Sequence, residues 1–272
     1  MGDAEILFIR PCEPLRSYVR YYYILNSVRG FNVLTFPIGC TQLIFHKGTP
    51  LFIPELNSSQ SMFTISGQVN FSAHVSSCGY AEMIVVVFQP HAIGWFIDTP
   101  PSSFFNLEIS GFDIGNGALS GLALRIFDCV DNFRCVHMIE NWLLAKLYNV
   151  NLPDYYRIGA TVARLMEYPS AKVTELADVA CLCKKQFERV FGRCVGMRPK
   201  EYARVVRFQK SMWLMQNGQC NDADIAYASG FADQSHFIRE FKAFSGRTPG
   251  QLRNEARPYS DLFTDPLTQS MK

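Results

Sequence analysis

The sequence repeats one pattern of residues near its C-terminal end, and this repeat constrains the fold more than any other feature. A constant offset of 50 positions marks a duplicated supersecondary unit. Each copy has the order expected of a helix, a turn and a second helix. The repeated pairs are Phe187 and Phe237, Arg189 and Arg239, Phe191 and Phe241, Gly196 and Gly246, Pro199 and Pro249, and Tyr202 and Leu252.

The first copy is predicted to open with a short helix capped by Thr174 and ending at Ala180. Residues 181–183 form the turn. A second helix over 184–193 should bury an apolar stripe, which consists of Phe187, Val190 and Phe191.

The second copy is predicted to start with a helix over 222–229. Gly230 supplies the left-handed conformation that a tight turn needs, and Phe231 fills the space beneath it. Asp233 then caps a helix whose apolar stripe contains Phe237, Phe241 and Phe244.

The outward faces of the two second helices carry polar residues near their N-terminal halves. This mixture can form hydrogen bonds with base edges in a major groove of DNA. The alternative is that both are ordinary solvated helix faces, but two copies with the same turn pattern favour base reading. The candidate base-contacting residues are Lys184, Lys185, Glu188, Arg189, Gln234, Ser235, His236 and Arg239.

The C-terminal pattern strongly resembles the DNA-binding domain of AraC/XylS-type bacterial transcription regulators over residues 155–255. The resemblance is most specific in the segments 225–231, 233–242 and 246–249, which read IAYASGF, DQSHFIREFK and GRTP. It implies that two helix-turn-helix units, joined by one long helix over 199–216, enter successive major grooves. It also implies that all of the candidate base-contacting residues except Lys184 read bases.

Two positions depart from the pattern of this family. We call the second helix of each unit its reader helix. Cys183 stands where a serine usually caps the first reader helix, and the weaker cap is expected to lower the free energy of unfolding by about 1 kcal/mol. Arg198 stands where serine or threonine usually precedes the proline, which adds a cation that could contact phosphate.

The charge distribution separates the chain into two parts. Residues 1–152 carry 8 Lys and Arg against 11 Asp and Glu, whereas residues 153–256 carry 16 against 11. A basic part joined to an acidic part is typical of a DNA-binding domain attached to another kind of domain. The candidate phosphate-contacting residues are Lys172, Arg198, Lys200, Arg204, Arg207, Lys242 and Arg247.

The N-terminal part is predicted to be an antiparallel β domain. Short apolar runs at 6–9, 19–25, 41–45, 63–65 and 84–88 alternate with turn signals, which favours a small barrel or sandwich. The segments 10–14, 19–24, 39–45 and 87–92 also resemble the cupin-like domain of some AraC-type regulators, and this resemblance implies a sensory role. Weak candidates for effector contacts are Tyr22, Gln42, Gln89 and His91.

Between the two parts, helical periodicity over 118–148 predicts a helical hairpin. This hairpin either packs on the β domain or pairs with a second subunit through Ile139, Trp142 and Leu143. The fold expected for the chain is therefore α+β. Its predicted divisions are a cupin-like β-barrel or sandwich (1–117), a helical connector (118–152), an all-α domain with two helix-turn-helix units (153–256) and a flexible tail (257–272).

Other chemistry receives little support from the sequence. The nine cysteines, the acidic start and the lack of an apolar run near 18 residues predict free thiols, a cytoplasmic location and no membrane span. Neither the spacing of Cys181, Cys183 and Cys194 nor that of His46, His74 and His91 is typical of a metal site. We therefore expect no metal, no cofactor and no enzymatic activity.

The sequence thus predicts a bacterial transcription regulator, an activator or a repressor, that binds double-stranded DNA. The expected further partners are a second copy of the chain and a small-molecule effector, and RNA polymerase is left open. The alternatives are a metal-dependent cupin-type enzyme and a thiol-based sensor or repair protein fused to a DNA-binding domain.

Overall fold

The computed structural model describes residues 4–147, 153–218, 220–255 and 263. An N-terminal β part is followed by nine helices in these residues, as expected for an α+β chain. None of these helices is long and apolar enough to cross a lipid bilayer. The predicted linker between the connector and the C-terminal domain falls largely on residues outside the described set, as does the predicted tail.

The β part consists of two antiparallel sheets. The larger sheet has the strand order β1-β2-β9-β4-β7-β10, and the smaller sheet has the order β3-β8-β5-β6. The strands are β1 (Ala4–Ile9), β2 (Val19–Ser27), β3 (Phe31–Thr35), β4 (Gln42–His46), β5 (Phe52–Ile53), β6 (Ser58–Ser59), β7 (Phe63–Ser66), β8 (Ala73–Ser77), β9 (Ala81–Phe88) and β10 (Glu108–Ser110).

The central strands of the larger sheet are buried on both faces. In β9, Val85 and Val87 belong to the same core cluster as residues of the smaller sheet, whereas Val86 and Phe88 face the helices of the connector. This alternation follows from the two-residue period of a strand. All five apolar runs in the sequence form strands, and in each at least one boundary moves by one to three residues.

Five strands escaped the sequence analysis: β3, β5, β6, β8 and β10. Each is short or rich in polar residues, so its side chains carry no clear alternation of apolar and polar positions. Their pairing is instead determined by neighbouring strands, such as the register of β10 against β7.

The predicted helical hairpin is formed by α1 (Gly117–Asp128) and α2 (Asn132–Leu147). Its apolar stripe covers the larger sheet, where Leu122, Ile126, Ile139 and Leu143 are buried. The structure therefore favours packing on the β domain, and it makes Ile139 and Leu143 unavailable to a second subunit. Val130, in the segment between the two helices, is almost fully exposed.

The C-terminal helices form the second part of the molecule. They are α3 (Pro153–Glu167), α4 (Val173–Val179), α5 (Lys184–Val195), α6 (Pro199–Asn217), α7 (Asp222–Ala228), α8 (Gln234–Ser245) and α9 (Pro249–Glu255). At helical spacing along α3, Ile158, Val162 and Leu165 are all buried.

The core of the C-terminal helices is continuous with one face of the larger sheet. Tyr21, Ile44 and Val85 of the sheet belong to the same buried cluster as Phe187 and Phe237 of the helices. The two parts of the molecule therefore share an apolar interface.

Candidate nucleic-acid interface

The first helix-turn-helix unit consists of α4 and α5. Leu176 and Ala177 of α4 are buried in the same cluster as Phe187 and Phe191 of α5, whose burial the helical periodicity predicted. The expectation that Thr174 caps α4 was wrong, because the N-cap position is occupied by Lys172. The backbone N–H of Lys172 donates to the Glu175 carboxylate (3.3 Å), so the side chain of Glu175 supports this helix start.

The second unit, α7 with α8, repeats this arrangement. Ile225 and Ala226 pack with Phe237 and Phe241, and Ser229 is the inward-facing residue at the end of α7. The side chain of Asn221 accepts hydrogen bonds from the backbone N–H groups of residues 223 and 224 (both 2.9 Å), which caps α7.

The two units differ by one residue in the turn, so the offset of 50 positions does not extend to their first helices. After α4, the N–H of Leu182 donates to the Ala177 carbonyl (3.0 Å), and after α7 the N–H of Phe231 donates to the Ala226 carbonyl (2.9 Å). These equivalent residues are 49 positions apart. The second turn therefore contains one additional residue, Ala232, before its reader helix.

Both turns contain a residue in the left-handed conformation. In the second unit this residue is Gly230, with φ of 80°, as the sequence predicted. In the first unit it is Cys181, with φ of 53°. Because a Cβ atom disfavours this conformation, the first turn is strained.

The reader helices also start differently. Asp233 accepts a hydrogen bond from the backbone N–H of His236 (2.7 Å) through its side chain, as expected of an N-cap aspartate. Cys183 occupies the N-cap position of α5 without a side-chain cap hydrogen bond, which agrees with the weaker cap expected there.

The candidate base-contacting residues share exposed faces at the start of the two reader helices. On α5 all four candidates are exposed: Lys184, Lys185, Glu188 and Arg189. On α8, Gln234, Ser235 and Arg239 are exposed, and His236 is half-buried.

The half-buried position of His236 has a clear structural cause. Its ring packs edge-on against Phe231 with 5.5 Å between the ring centres, and its Nδ1 atom accepts a hydrogen bond from the Ala232 N–H (3.3 Å). Nε2 lies 3.8 Å from the Glu240 carboxylate. The His236 side chain therefore packs against the turn of the unit, and only part of it is exposed beside the other candidates.

The long helix α6 carries two arginines toward the second reader helix. Arg204 and Arg207 approach opposite oxygens of the Glu240 carboxylate at 2.7 and 3.3 Å. Burial alone would raise the pKa of Glu240, but attraction to the two guanidinium groups lowers it below its usual value. These arginines therefore tie α6 to α8 in addition to lying near the candidate phosphate-contacting surface.

A basic cleft lies between the start of α4, the start of α5 and the first turns of α6. Its volume is about 510 Å³. The cleft is lined by the cationic residues Lys172, Lys184, Lys200, Arg204 and Arg207. The structure gives the three lysines of this set no ion pair with any other residue that it describes. The cleft can therefore hold an anionic group against several cations.

The remaining candidates for phosphate contacts are Arg198, Lys242 and Arg247, and all three are exposed. Arg198 occupies the N-cap position of α6, where its backbone N–H donates to Glu201 (3.2 Å). Arg198 is two residues before Lys200, which lines the cleft.

The four effector candidates do not meet at one site. Tyr22 is buried on the face of the larger sheet that α1 and α2 cover, whereas Gln42 lies on the opposite face. His91 is buried against Tyr155 of α3, with 4.5 Å between ring centres, and the side-chain amide of Gln89 donates to the Arg16 carbonyl (3.2 Å). The four candidates therefore have different surroundings, and contact of any one of them with an effector stays a prediction.

The sequence analysis missed a polar network between the two sheets. The Glu108 carboxylate accepts hydrogen bonds from Ser66 (2.7 Å) and Gln60 (3.0 Å), and Gln60 in turn contacts buried His46 (2.8 Å). Burial raises the pKa of Glu108 to about 7 despite these two bonds. The sequence feature that could have indicated this network is the presence of polar residues at alternate positions of short strands, beginning with Gln42, which is opposite Ser66.

Three further findings limit the chemistry that the described residues support. No group of three or more His, Cys, Asp or Glu side chains among them is arranged to hold a metal ion. All nine cysteines lie in the described part of the chain, and each is a free thiol. Burial raises the pKa of Cys194 to about 11, which keeps this thiol in its less reactive protonated form.

Comparisons with known proteins agree with the geometry of the two units. Residues 176–255 match a family model described as a helix-turn-helix domain, and residues 7–110 match a domain of unknown function (DUF6597). The second match leaves the cupin-like resemblance of the β domain unconfirmed.

Two relatives and one solved structure illustrate the extent of the similarity. The Msm operon regulatory protein of Streptococcus mutans is 29% identical over 86 residues, covering 32% of this chain and 31% of that protein. The HTH-type transcriptional regulator MtrA of Neisseria gonorrhoeae is 26% identical over 101 residues, covering 36% and 34%. The crystal structure of ToxT from Vibrio cholerae has a TM-score of 0.44 at 15% identity, covering 88% and 98%.

The matched segment spans about a third of the length of these two regulators. Within that segment, the repeated units, their turns and their exposed reader faces agree with the matched helix-turn-helix family. Residues 176–255 of this chain therefore form a helix-turn-helix domain.

Proposed function

We propose that this chain is a transcription regulator that binds double-stranded DNA in a sequence-specific manner. The observation that carries the proposal is the presence of two equivalent exposed polar faces, on α5 and α8, in a tandem pair of helix-turn-helix units. The helix between them, α6, has 19 residues. Its length is about 28 Å, which is comparable to the separation of about 34 Å between successive major grooves on one face of a duplex.

In this proposal the reader helices provide sequence specificity. Lys185, Glu188 and Arg189 contact base edges in one groove, and Gln234, Ser235 and Arg239 contact those in the next. Long polar side chains at the start of a helix can reach base edges when the helix enters the major groove, and arginine pairs well with guanine. We assign His236 a secondary role, because its ring also packs within the unit.

Contacts with the phosphates provide most of the affinity. The basic cleft is suited to the DNA backbone, because several cations there can surround one or two phosphates. We therefore assign Lys184, which lines the cleft, to phosphate as well as base contacts. The exposed Arg198, Lys242 and Arg247 would contact phosphates on either side of the grooves.

Selection of bound sequences from a random pool of DNA duplexes tests this function directly. We expect enrichment of two short motifs whose centres lie about 10–10.5 base pairs apart. Recovery of only random sequences, or of one motif without a second, would contradict the proposed reading by both units. Repeating the selection with cell extract would show whether a small molecule changes the preference.

We place the effector contacts of this proposal in the polar network of the β domain. The Glu108 carboxylate, which accepts hydrogen bonds from Ser66 and Gln60, can pair with the ammonium group of a small organic amine. Amines screened by thermal denaturation should include one that raises the Tm of the wild type but not of Glu108→Gln. Equal shifts in both proteins, or no shift in either, would remove this assignment.

The remaining parts of the proposal concern assembly and organisation. We propose a cytoplasmic homodimer that acts on RNA polymerase at promoters, with domain boundaries near residues 117, 152 and 256. Support for a connector between two domains comes from α1 and α2, which follow the last strand and precede α3. Light scattering coupled to size-exclusion chromatography would reveal the dimer, and a monomer at micromolar concentration would contradict it.

The enzyme and thiol-chemistry alternatives find less support. The relatives reported above are regulators, and the described residues contain no candidate metal cluster. Stoichiometric iron, zinc or manganese in the purified protein would restore the enzyme alternative. Selective alkylation of Cys181 or Cys183, detected by mass spectrometry, would restore the thiol alternative.

A further inference from the structure

The β domain contacts the C-terminal ends of both reader helices. At the end of α8, the Ser72 hydroxyl donates to the Phe244 carbonyl. At the end of α5, Gly196 lies so close to Pro101 that an added Cβ would be 3.1 Å from the Pro101 carbonyl oxygen. Two separate segments of one domain thus lie against the ends of the two reader helices, at positions two residues apart in the repeat.

The same domain also holds the middle of the helix that joins the units. The side-chain amide of Gln209 in α6 is fully buried and donates to the Pro37 carbonyl (2.6 Å). The ring of the neighbouring Phe208 packs on Phe36 of the β domain, with 5.8 Å between ring centres. Phe208 also contacts Phe244 of α8 at 5.1 Å, so the contact continues into the second reader helix.

We propose that the β domain braces the two reader helices at a fixed separation and thereby selects the spacing between the half-sites in DNA. The brace consists of Phe36, Pro37, Ser72 and Pro101. Ser72 and Gln209 act as positioning residues for DNA recognition, since neither lies on the exposed reader faces. This inference rests on the proposed function, because spacing has meaning only if both units bind one duplex.

The physical argument concerns the rigidity of the pair of units. Two reader helices can meet their bases simultaneously only if their separation matches the helical repeat of DNA. A single connecting helix can bend and twist, whereas attachment of both ends and the middle to one closely packed domain removes this freedom. Loss of a brace contact should therefore reduce the preference for one half-site spacing more than it reduces the binding of either unit to its own half-site.

Full-length protein carrying Ser72→Ala or Gln209→Met tests the brace. Ser72→Ala removes the hydroxyl that contacts α8, and Gln209→Met removes the buried amide at similar volume. Ser76→Ala is the matched control, because its hydroxyl donates to the Phe52 carbonyl (3.2 Å) within the β domain. Each protein is titrated with the selected duplex, with duplexes whose half-sites are one base pair closer or farther apart, and with a single half-site.

Wild type and Ser76→Ala should lose about tenfold in affinity when the spacing changes by one base pair, comparable to the effect of a mismatched base pair. Ser72→Ala and Gln209→Met should lose only about threefold, and each should bind the single half-site within about twofold of wild type. Unchanged spacing preference in both variants, or an equal loss on the half-site, would overturn the proposal.

Hydrogen exchange in the absence of DNA separates the brace from the proposed function. If the brace holds α8, Ser72→Ala should increase exchange at the amides of residues 244–247 relative to wild type and Ser76→Ala. Unchanged exchange there would overturn the brace even if the protein binds DNA. A wild type that selects no DNA sequence but shows this exchange difference would refute the regulator and the selection of spacing, while leaving the structural contact established.

Discussion

The two helix-turn-helix units have the same architecture, but the second satisfies its local requirements better than the first. Its turn has glycine in the left-handed conformation, and its reader helix has an aspartate cap. The first unit has Cys181 and Cys183 at the corresponding places, with a left-handed φ of 53° and without a cap hydrogen bond. A repeat can therefore keep its fold while its two copies differ in local stability.

The units also differ in their attachment to α6. Glu240 on α8 binds Arg204 and Arg207, whereas Val190 occupies the equivalent position of α5 and is buried in the core. The second reader helix thus has an ion-pair link to α6 in addition to the packing of Phe208 on Phe244, whereas the first has an apolar residue at the position of Glu240. Four predictions test this comparison, from the largest expected effect to the smallest.

Gly230→Ala should destabilise the protein by about 2–4 kcal/mol, because it adds left-handed strain to a steric clash. A Cβ at this position would lie 2.9 Å from the backbone nitrogen of Ser170. The free energy of unfolding from urea denaturation measures the effect. Gly246→Ala is the control, since its φ is 70° but no atom lies within 4 Å, so only the strain of about 1–2 kcal/mol should remain. Equal losses would show that Ser170 can move.

Arg239→Ala should weaken binding to the selected duplex by about 1–3 kcal/mol and relax the preference at one base pair. Arg189→Ala should do the same in the other half-site if the exposed faces are equivalent. Fluorescence anisotropy with single-base variants of the duplex measures both effects.

Lys242→Ala is the control for these arginines. It should weaken binding to all sequences alike and reduce the slope of log affinity against log salt by about one unit. If Arg239→Ala and Lys242→Ala weakened random and selected DNA equally, base reading by α8 would be refuted.

Asp233→Ala should lower the free energy of unfolding by about 1 kcal/mol, because it removes a side-chain cap. Cys183→Ser should raise it by about 0.5–1 kcal/mol, because it supplies one. Chemical denaturation at neutral pH measures both changes. Cys181→Ser, which changes a cysteine outside the cap position, should give no such gain. A stabilising effect of the same size there would attribute the gain to loss of a thiol.

Cys181→Gly should stabilise the protein by about 0.5–1 kcal/mol, since relief of left-handed strain exceeds the entropy that glycine adds to the unfolded chain. Cys220→Gly is the matched control, because Cys220 is exposed and does not have a positive φ. It should lower stability or leave it unchanged. The same gain at both positions would argue against strain in the first turn.

The local features of the fold and of the candidate site follow closely from the sequence. The spacing of Phe187, Phe191, Phe237 and Phe241 identified the buried faces, and the polar residues between them identified the exposed reader faces. The error at the start of α4 arose because Thr174 is a better cap than Lys172, whereas Glu175 stabilises the earlier start through the backbone. The cap preference of a residue predicts a helix start poorly when a side chain two or three residues away can accept a hydrogen bond from another backbone N–H.

The sequence alone determined the tandem units, the basic character of the C-terminal part and the residues that face solvent from the reader helices. Only the tertiary structure decided that Arg204 and Arg207 bind Glu240, that Glu108 joins a polar network, and that Ser72 and Gln209 link the two parts. Helix and strand periods are properties of neighbouring residues, so they can be read along the chain. Contacts between residues as far apart as 172 positions depend on how whole elements pack, and no local period encodes them.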